Sequence, residues 1–225
     1  MFFTPLSSLL MVIFFAFILF FFILVQINLM TLAFIQIGIP SQYVFSALVA
    51  TLLGSYINVP VKKIPQKIMT AERRISFFGV VYAVPVSRRQ VTVLSVNVGG
   101  AVIPAFISFY LLLKTGLYFQ ALAGTAFMSA LCFRLAKPIR GVGIAMPFFV
   151  PPFLAAFLSV IIAYDHAPVV AYISGTLGTL IGADILNIKK IRNLGAPVAS
   201  IGGAGTFDGI FLTGILAVLL SGFLR

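Results

Sequence analysis

The chain alternates long apolar runs with short polar breaks. Runs of about 20 apolar residues match the length a helix needs to cross a ~30 Å hydrocarbon core. Seven can be drawn: 8–36, 41–58, 92–113, 117–135, 143–163, 167–187 and 198–222. Backbone groups in hydrocarbon must be satisfied within the spanning segment, so the pattern predicts helices. A membrane β-barrel would alternate apolar and polar residues over roughly ten-residue strands; these runs do not alternate. The first run exceeds what the core requires, which predicts a tilted or protruding helix. It lacks the positive start of a signal peptide and is too long for a cleaved apolar segment, so it reads as a retained helix.

The one sizeable polar segment is 59–91. VPVKKI and FFGVVYAVPV are rich in β-branched residues, and Pro60, Pro65 and Pro85 punctuate them. This predicts a small hairpin at the membrane surface, serving either as a connector held at the headgroups or as a flap for a partner. The expected fold is therefore an all-α membrane protein of about seven helices with a small cytoplasmic β-hairpin-like loop.

Composition agrees: of 225 residues, 61% are hydrophobic and 8% charged, against about 25% charged in soluble domains. The chain reads as one polytopic domain, 1–225. A net charge of +11 would suit nucleic acid, but thirteen of the fifteen Lys and Arg fall in three short loops, 62–89, 134–140 and 189–192. Basic loops of this kind face the cytoplasm and meet anionic lipid headgroups. They follow runs two, four and six, which predicts a cytoplasmic N-terminus and an outward C-terminus. The expected partners are the bilayer and anionic headgroups, not nucleic acid. Cys132 is the single cysteine, so no intramolecular disulfide forms, and it reads as a packing residue.

An internal repeat is visible. PSQYVFSALVATLLGSYINVPVKKI (40–64) aligns with PVVAYISGTLGTLIGADILNIKKI (168–191), matching Pro40 with Pro168, Gly54 with Gly182 and Lys62-Lys63-Ile64 with Lys189-Lys190-Ile191. NVGGA (97–101) then resembles SIGGA (200–204). A displacement of four spans gives a parallel repeat: copy one about 40–113, a linker span at 117–135, and copy two about 143–222.

Acidic residues are scarce, four in all, and two lie inside apolar runs of copy two: Asp184 in GADILN and Asp208 in GGAGTFDGIF. A carboxylate at bilayer depth costs about 2.5–3.5 kcal/mol on insertion scales, so each needs a partner, a water-filled cavity or a role. Copy one has Tyr56 where copy two has Asp184. Consecutive antiparallel helices are usually neighbours, so the two carboxyls are expected to face each other near the cytoplasmic side. Such a pair shares a proton and suits acid–base hydrolysis. It equally suits proton or cation transfer, and a purely structural role, bonding backbone amides at a broken helix, stays open. Gly182, Gly202, Gly203 and Gly205 are the candidate backbone support, permitting distortion beside the acids. Asn97, Thr179 and Thr206 are candidate linings of a polar path. Asp165 and His166 are too few ligands for a metal, and no nucleotide or haem motif occurs; no cofactor or metal is expected.

NVGGAVIP, ISGTLGTLIGADILNIKKI and GAPVASIGGAGTFDGIFLTG together resemble a family of uncharacterised archaeal and bacterial membrane proteins, from about Pro40 onward. The resemblance implies a fold family, a prokaryotic plasma membrane and no activity. A looser similarity is to intramembrane aspartyl proteases of the presenilin and signal peptide peptidase group, which carry one aspartate in a sixth span and a second after a GxGD motif in a seventh. Asp184 and Asp208 would take those places. Here Ala183 precedes Asp184 where that group has Tyr, Phe207 replaces the second glycine, and no Pro-Ala-Leu segment follows.

Overall fold

The computed structural model describes residues 5–77, 80–139, 143–191, 197–203 and 209–225. The elements run α1 (Pro5–Gln36), α2 (Ser41–Gly54), β1 (Asn58–Phe77), β2 (Val80–Asn97), a π-helical turn (Val98–Val102), α3 (Ile103–Thr115), α4 (Tyr118–Leu135), β3 (Lys137–Ile139), β4 (Gly143–Ala145), α5 (Val150–Ile162), a 3-10 turn (Tyr164–His166), α6 (Ala167–Thr179), a second π-helical turn (Leu180–Ile185), α7 (Ile188–Ile191), β5 (Val198–Ile201) and α8 (Gly209–Leu224). Prolines stand in the first turns of α3, α5 and α6, where the missing N–H has no intrahelical partner to lose. α3 stops at Gly116, whose φ of 68° is left-handed, the usual helix-ending conformation.

The helices assemble around α6. All of its residues but Leu177 are buried, as expected of a helix apolar or small on every side. Gly124 of α4 faces Ser174, Met128 faces Gly178, and Cys132 faces Gly182, so α4 and α6 run in the same direction. α8 runs the other way: the Tyr164 hydroxyl, just before α6, donates to the carbonyl of Arg225, just after α8. α2 and α3 are likewise antiparallel. Lys114 at the end of α3 donates to Gly38 O, before α2, at 2.6 Å, while Gly99 at the other end sits against Thr51 and Ser55. The bundle thus has two ends. Gly38, Lys114, Tyr164 and Arg225 lie at one; Ser55, Asn97, Leu135 and Asp184 lie at the other, together with the basic residues Lys62, Lys63, Arg134, Lys137, Lys189 and Lys190.

Among the described residues, three helical stretches are long and apolar enough to cross a membrane: Met11–Gln36, Val98–Thr115 and Tyr164–Lys190. The second and third reach that length only because helix continues through a π-turn. The apolar helices α2, α5 and α8 have 14, 13 and 16 residues, which is roughly 20–24 Å at 1.5 Å per residue. Parts of the expected spans are strands instead. Residues 92–97 belong to β2, 143–145 to β4 and 198–201 to β5. Each is a short apolar run, and such a run has no periodicity that separates strand from buried helix.

The expected hairpin exists and is larger than the sequence suggested. β1 and β2 have 20 and 18 residues, spanning about 60 Å at ~3.3 Å per residue. They pair antiparallel from Asn58 opposite Asn97 to Phe77 opposite Val80, with irregularities at Pro60/Lys62 and Thr70/Glu72. β5 joins β2 in parallel, Val93 opposite Val198 through Val96 opposite Ile201. α1 packs through its C-terminal turns: Ala33 and Phe34, with Ile37 just beyond the helix, are buried with Tyr172, Phe211, Ile215 and Val218. Residues 11–25 are exposed on every side, which accords with a helix protruding from the bundle into lipid.

Candidate functional site

Asp184 sits in the π-turn that continues α6. π-turns within helices concentrate at functional sites. Asp184 is half-buried, and its Oδ2 accepts a hydrogen bond from the backbone N–H of Gly202 at 2.7 Å. Gly202 and Gly203 follow β5 with φ of 86° and 79°, a left-handed pair that side-chain-bearing residues rarely adopt. Gly203 N–H closes the turn on Ser200 O at 3.3 Å. The carboxylate therefore grips a tight turn just ahead of the segment that leads into α8.

The same turn touches the first π-turn. A Cβ on Gly100 would lie 1.9 Å from Gly202 O, and one on Gly202 would lie 2.6 Å from Ala101 Cβ. Gly100 is part of the first π-turn, so both π-turns of the described chain meet at Gly202. Asn97 anchors the first. Its Oδ1 accepts from Gly100 N–H at 2.7 Å, and its Nδ2 donates to Ser55 O at 2.7 Å and Asn58 Oδ1 at 3.2 Å. Ser200 Oγ donates to the same Asn58 oxygen at 2.6 Å, tying β5 to β1.

Sequence reasoning named Asp184, Gly202 and Gly203, and the structure brings them together. Asp208, Gly205 and Thr206 lie outside the described residues. The described neighbours of that segment bracket the acid: Gly202 is bonded to Asp184, and Ile210 is buried in one cluster with Leu180, Ala101, Val96 and Ile201. Gly182 lies at a close helix contact. Its missing Cβ makes room for Ser129 O at 2.3 Å and Cys132 Cβ at 2.8 Å, so it seats α4 against the π-turn. Its carbonyl accepts from Asn187 Nδ2 at 3.0 Å. Asn97 is fully buried and its amide is occupied by backbone and Asn58. Thr179 is 1% exposed and faces Cys132, Oγ1 to Sγ 3.6 Å. Asn58, Ser200 and Asn187 were missed; a lone polar residue in a short strand or turn carries no signal until the chain folds. Among the described residues no cluster of three or more His, Cys, Asp or Glu is close enough to hold a metal ion.

A buried central helix, two π-turns meeting at a glycine turn and three apolar helices long enough to cross a membrane describe a mostly helical protein in which one carboxylate clasps a glycine turn. The chain belongs to the family described as Protein of unknown function (DUF1614), whose model matches residues 52–220. No curated protein matches the chain, and no solved structure matches it.

Proposed function

We propose that the protein is an intramembrane hydrolase of aspartyl type, with Asp184 and Asp208 as its acidic pair. The observation that supports this is the Asp184–Gly202 hydrogen bond at 2.7 Å. It tethers the chain that carries Asp208 to the turn that carries Asp184, six residues before the second acid. Ile210, two residues beyond Asp208, shares a buried cluster with Leu180, one helical turn before Asp184. In this reading one carboxylate takes a proton from water, and water adds to a scissile carbonyl. The other carboxyl delivers its proton to the departing amine. The membrane is the plasma membrane of a prokaryote, crossed seven times, with the basic end of the bundle in the cytoplasm and the C-terminus outside. Copy two holds the chemistry, and copy one braces it through Gly100.

A second reading has its own observation. Two helices that each carry a π-turn at one end, one in each copy of this reading, meet at Gly202. Interrupted helices at a repeat interface also build substrate and ion sites in transporters, where Asp184 would bind the coupling proton or cation and Asn97, Thr179 and Thr206 would line its path.

Purified protein in liposomes distinguishes them. Cleavage of a membrane-helix reporter, abolished in both Asp184→Asn and Asp208→Asn, is the result expected of the hydrolase. Proton or cation flux lost in both variants, without cleavage, would replace it with the transporter. Loss of neither would leave the aspartates as structural residues.

A further inference from the structure

The basic end of the bundle carries a patch outside this site. Arg134 lies in the last turn of α4, Lys137 begins β3, Lys189 and Lys190 lie in α7, and all four are exposed. The two helices are locked together there. Cys132 packs on Gly182, and the Lys190 ammonium stands 4.6 Å from the centroid of the Phe133 ring, a cation–π distance. No carboxylate pairs with these four cations among the described residues, and the one acid in the neighbouring turn, Asp184, has an oxygen on Gly202 N–H. Immediately beside the charges the surface becomes apolar: Phe133 is 38% and Leu186 50% exposed. Cations bordered by exposed aromatic and aliphatic groups, on a chain with membrane-length helices, match the boundary between headgroups and acyl chains.

We propose that this patch is a binding site for an anionic phospholipid, its phosphate held by Arg134, Lys189 and Lys190 and its acyl chain lying along Phe133 and Leu186. The recognised chemistry is a phosphate, which a lipid or a soluble metabolite could supply. The exposed apolar rim selects the lipid, since a soluble phosphate leaves Phe133 and Leu186 uncovered. By joining α4 to α7 the lipid would also hold the turn carrying Asp184, and its binding is separable from any activity there.

The test is lipid retention by the full-length protein in neutral detergent, read by native mass spectrometry. Phosphatidylglycerol is the probe, with phosphatidylcholine and glycerol 3-phosphate as the other arms. Retention of phosphatidylglycerol alone is expected. It should weaken about fivefold for each charge removed in Arg134→Gln and Lys190→Gln, lessen with added salt, and recover in Lys190→Arg. Phe133→Ala should weaken it while leaving all four cations in place. Equal binding of glycerol 3-phosphate would overturn the lipid in favour of a soluble phosphate. Equal retention of phosphatidylcholine, or an equal loss in Lys62→Gln/Lys63→Gln, would overturn the site. Unchanged helical circular dichroism in each variant is required for its result to count, and Lys190→Arg against Lys190→Gln decides the matter if the Arg134 variant does not fold.

Discussion

At the scale of single residues, the Asp184–Gly202 bond separates structure from chemistry. Asparagine keeps an oxygen that can accept from Gly202 N–H, whereas leucine leaves that buried amide unmet, at a cost of about 1–3 kcal/mol. Asp184→Asn is expected to melt close to the wild type and to lose activity; Asp184→Leu is expected to lose both. Thermal unfolding in detergent checks the first half of that statement. If Asn destabilises as much as Leu, the carboxylate charge itself holds the fold together. Gly202→Ala meets two obstacles, a left-handed φ of 86° and Ala101 Cβ at 2.6 Å. It should cost at least the 1–3 kcal/mol typical of an overpacked site.

Among elements, the packing of neighbouring helices on α6 and its π-turn depends on absent side chains at some glycines and not at others. A Cβ on Gly182 would stand 2.3 Å from the backbone carbonyl of Ser129, while one on Gly175 would stand 3.4 Å from Ala155 Cβ. The first contact can be relieved only by moving a helix; the second sits at the tight edge of ordinary packing. Gly182→Ala should therefore lower the melting temperature well below that of Gly175→Ala, and comparable values would mean α4 is not seated as described. Asn97 works at the same scale, with three hydrogen bonds joining α2, β1 and the first π-turn. Asn97→Ala removes them all, and at about 1 kcal/mol net per bond it should destabilise by roughly 3 kcal/mol in denaturant titrations.

For the whole molecule, Lys62, Lys63, Arg134, Lys137, Lys189 and Lys190 lie at one end of the bundle, and Asp165 lies at the other with Lys114 and Arg225. Cysteines introduced at Arg74 and Arg140 are expected to react with an impermeant reagent only from the cytoplasmic side, and one at Asp165 only from outside. Labelling of Arg74 and Asp165 positions from the same side would defeat this arrangement, whatever the activity turns out to be.

Much of this was legible in the sequence because it depends on composition over a window. Long apolar stretches need hydrocarbon, so α1 and α6 could be drawn directly from the chain. The β-branched run around Lys62 pointed to a hairpin, and an aspartate such as Asp184 inside an apolar helix marked the region worth inspecting. Local composition could not decide where helix yields to strand. Val93–Val96 and Val198–Ile201 are apolar in either form, and they are strands because each supplies the other's backbone hydrogen bonds across more than a hundred residues of chain. Nor could it reveal that Gly100 leaves the space occupied by the carbonyl of Gly202, or that Asp184 is answered by a backbone amide. Those facts concern distances between segments remote in sequence. Only the tertiary structure decides them, since packing and hydrogen bonding act on proximity in space.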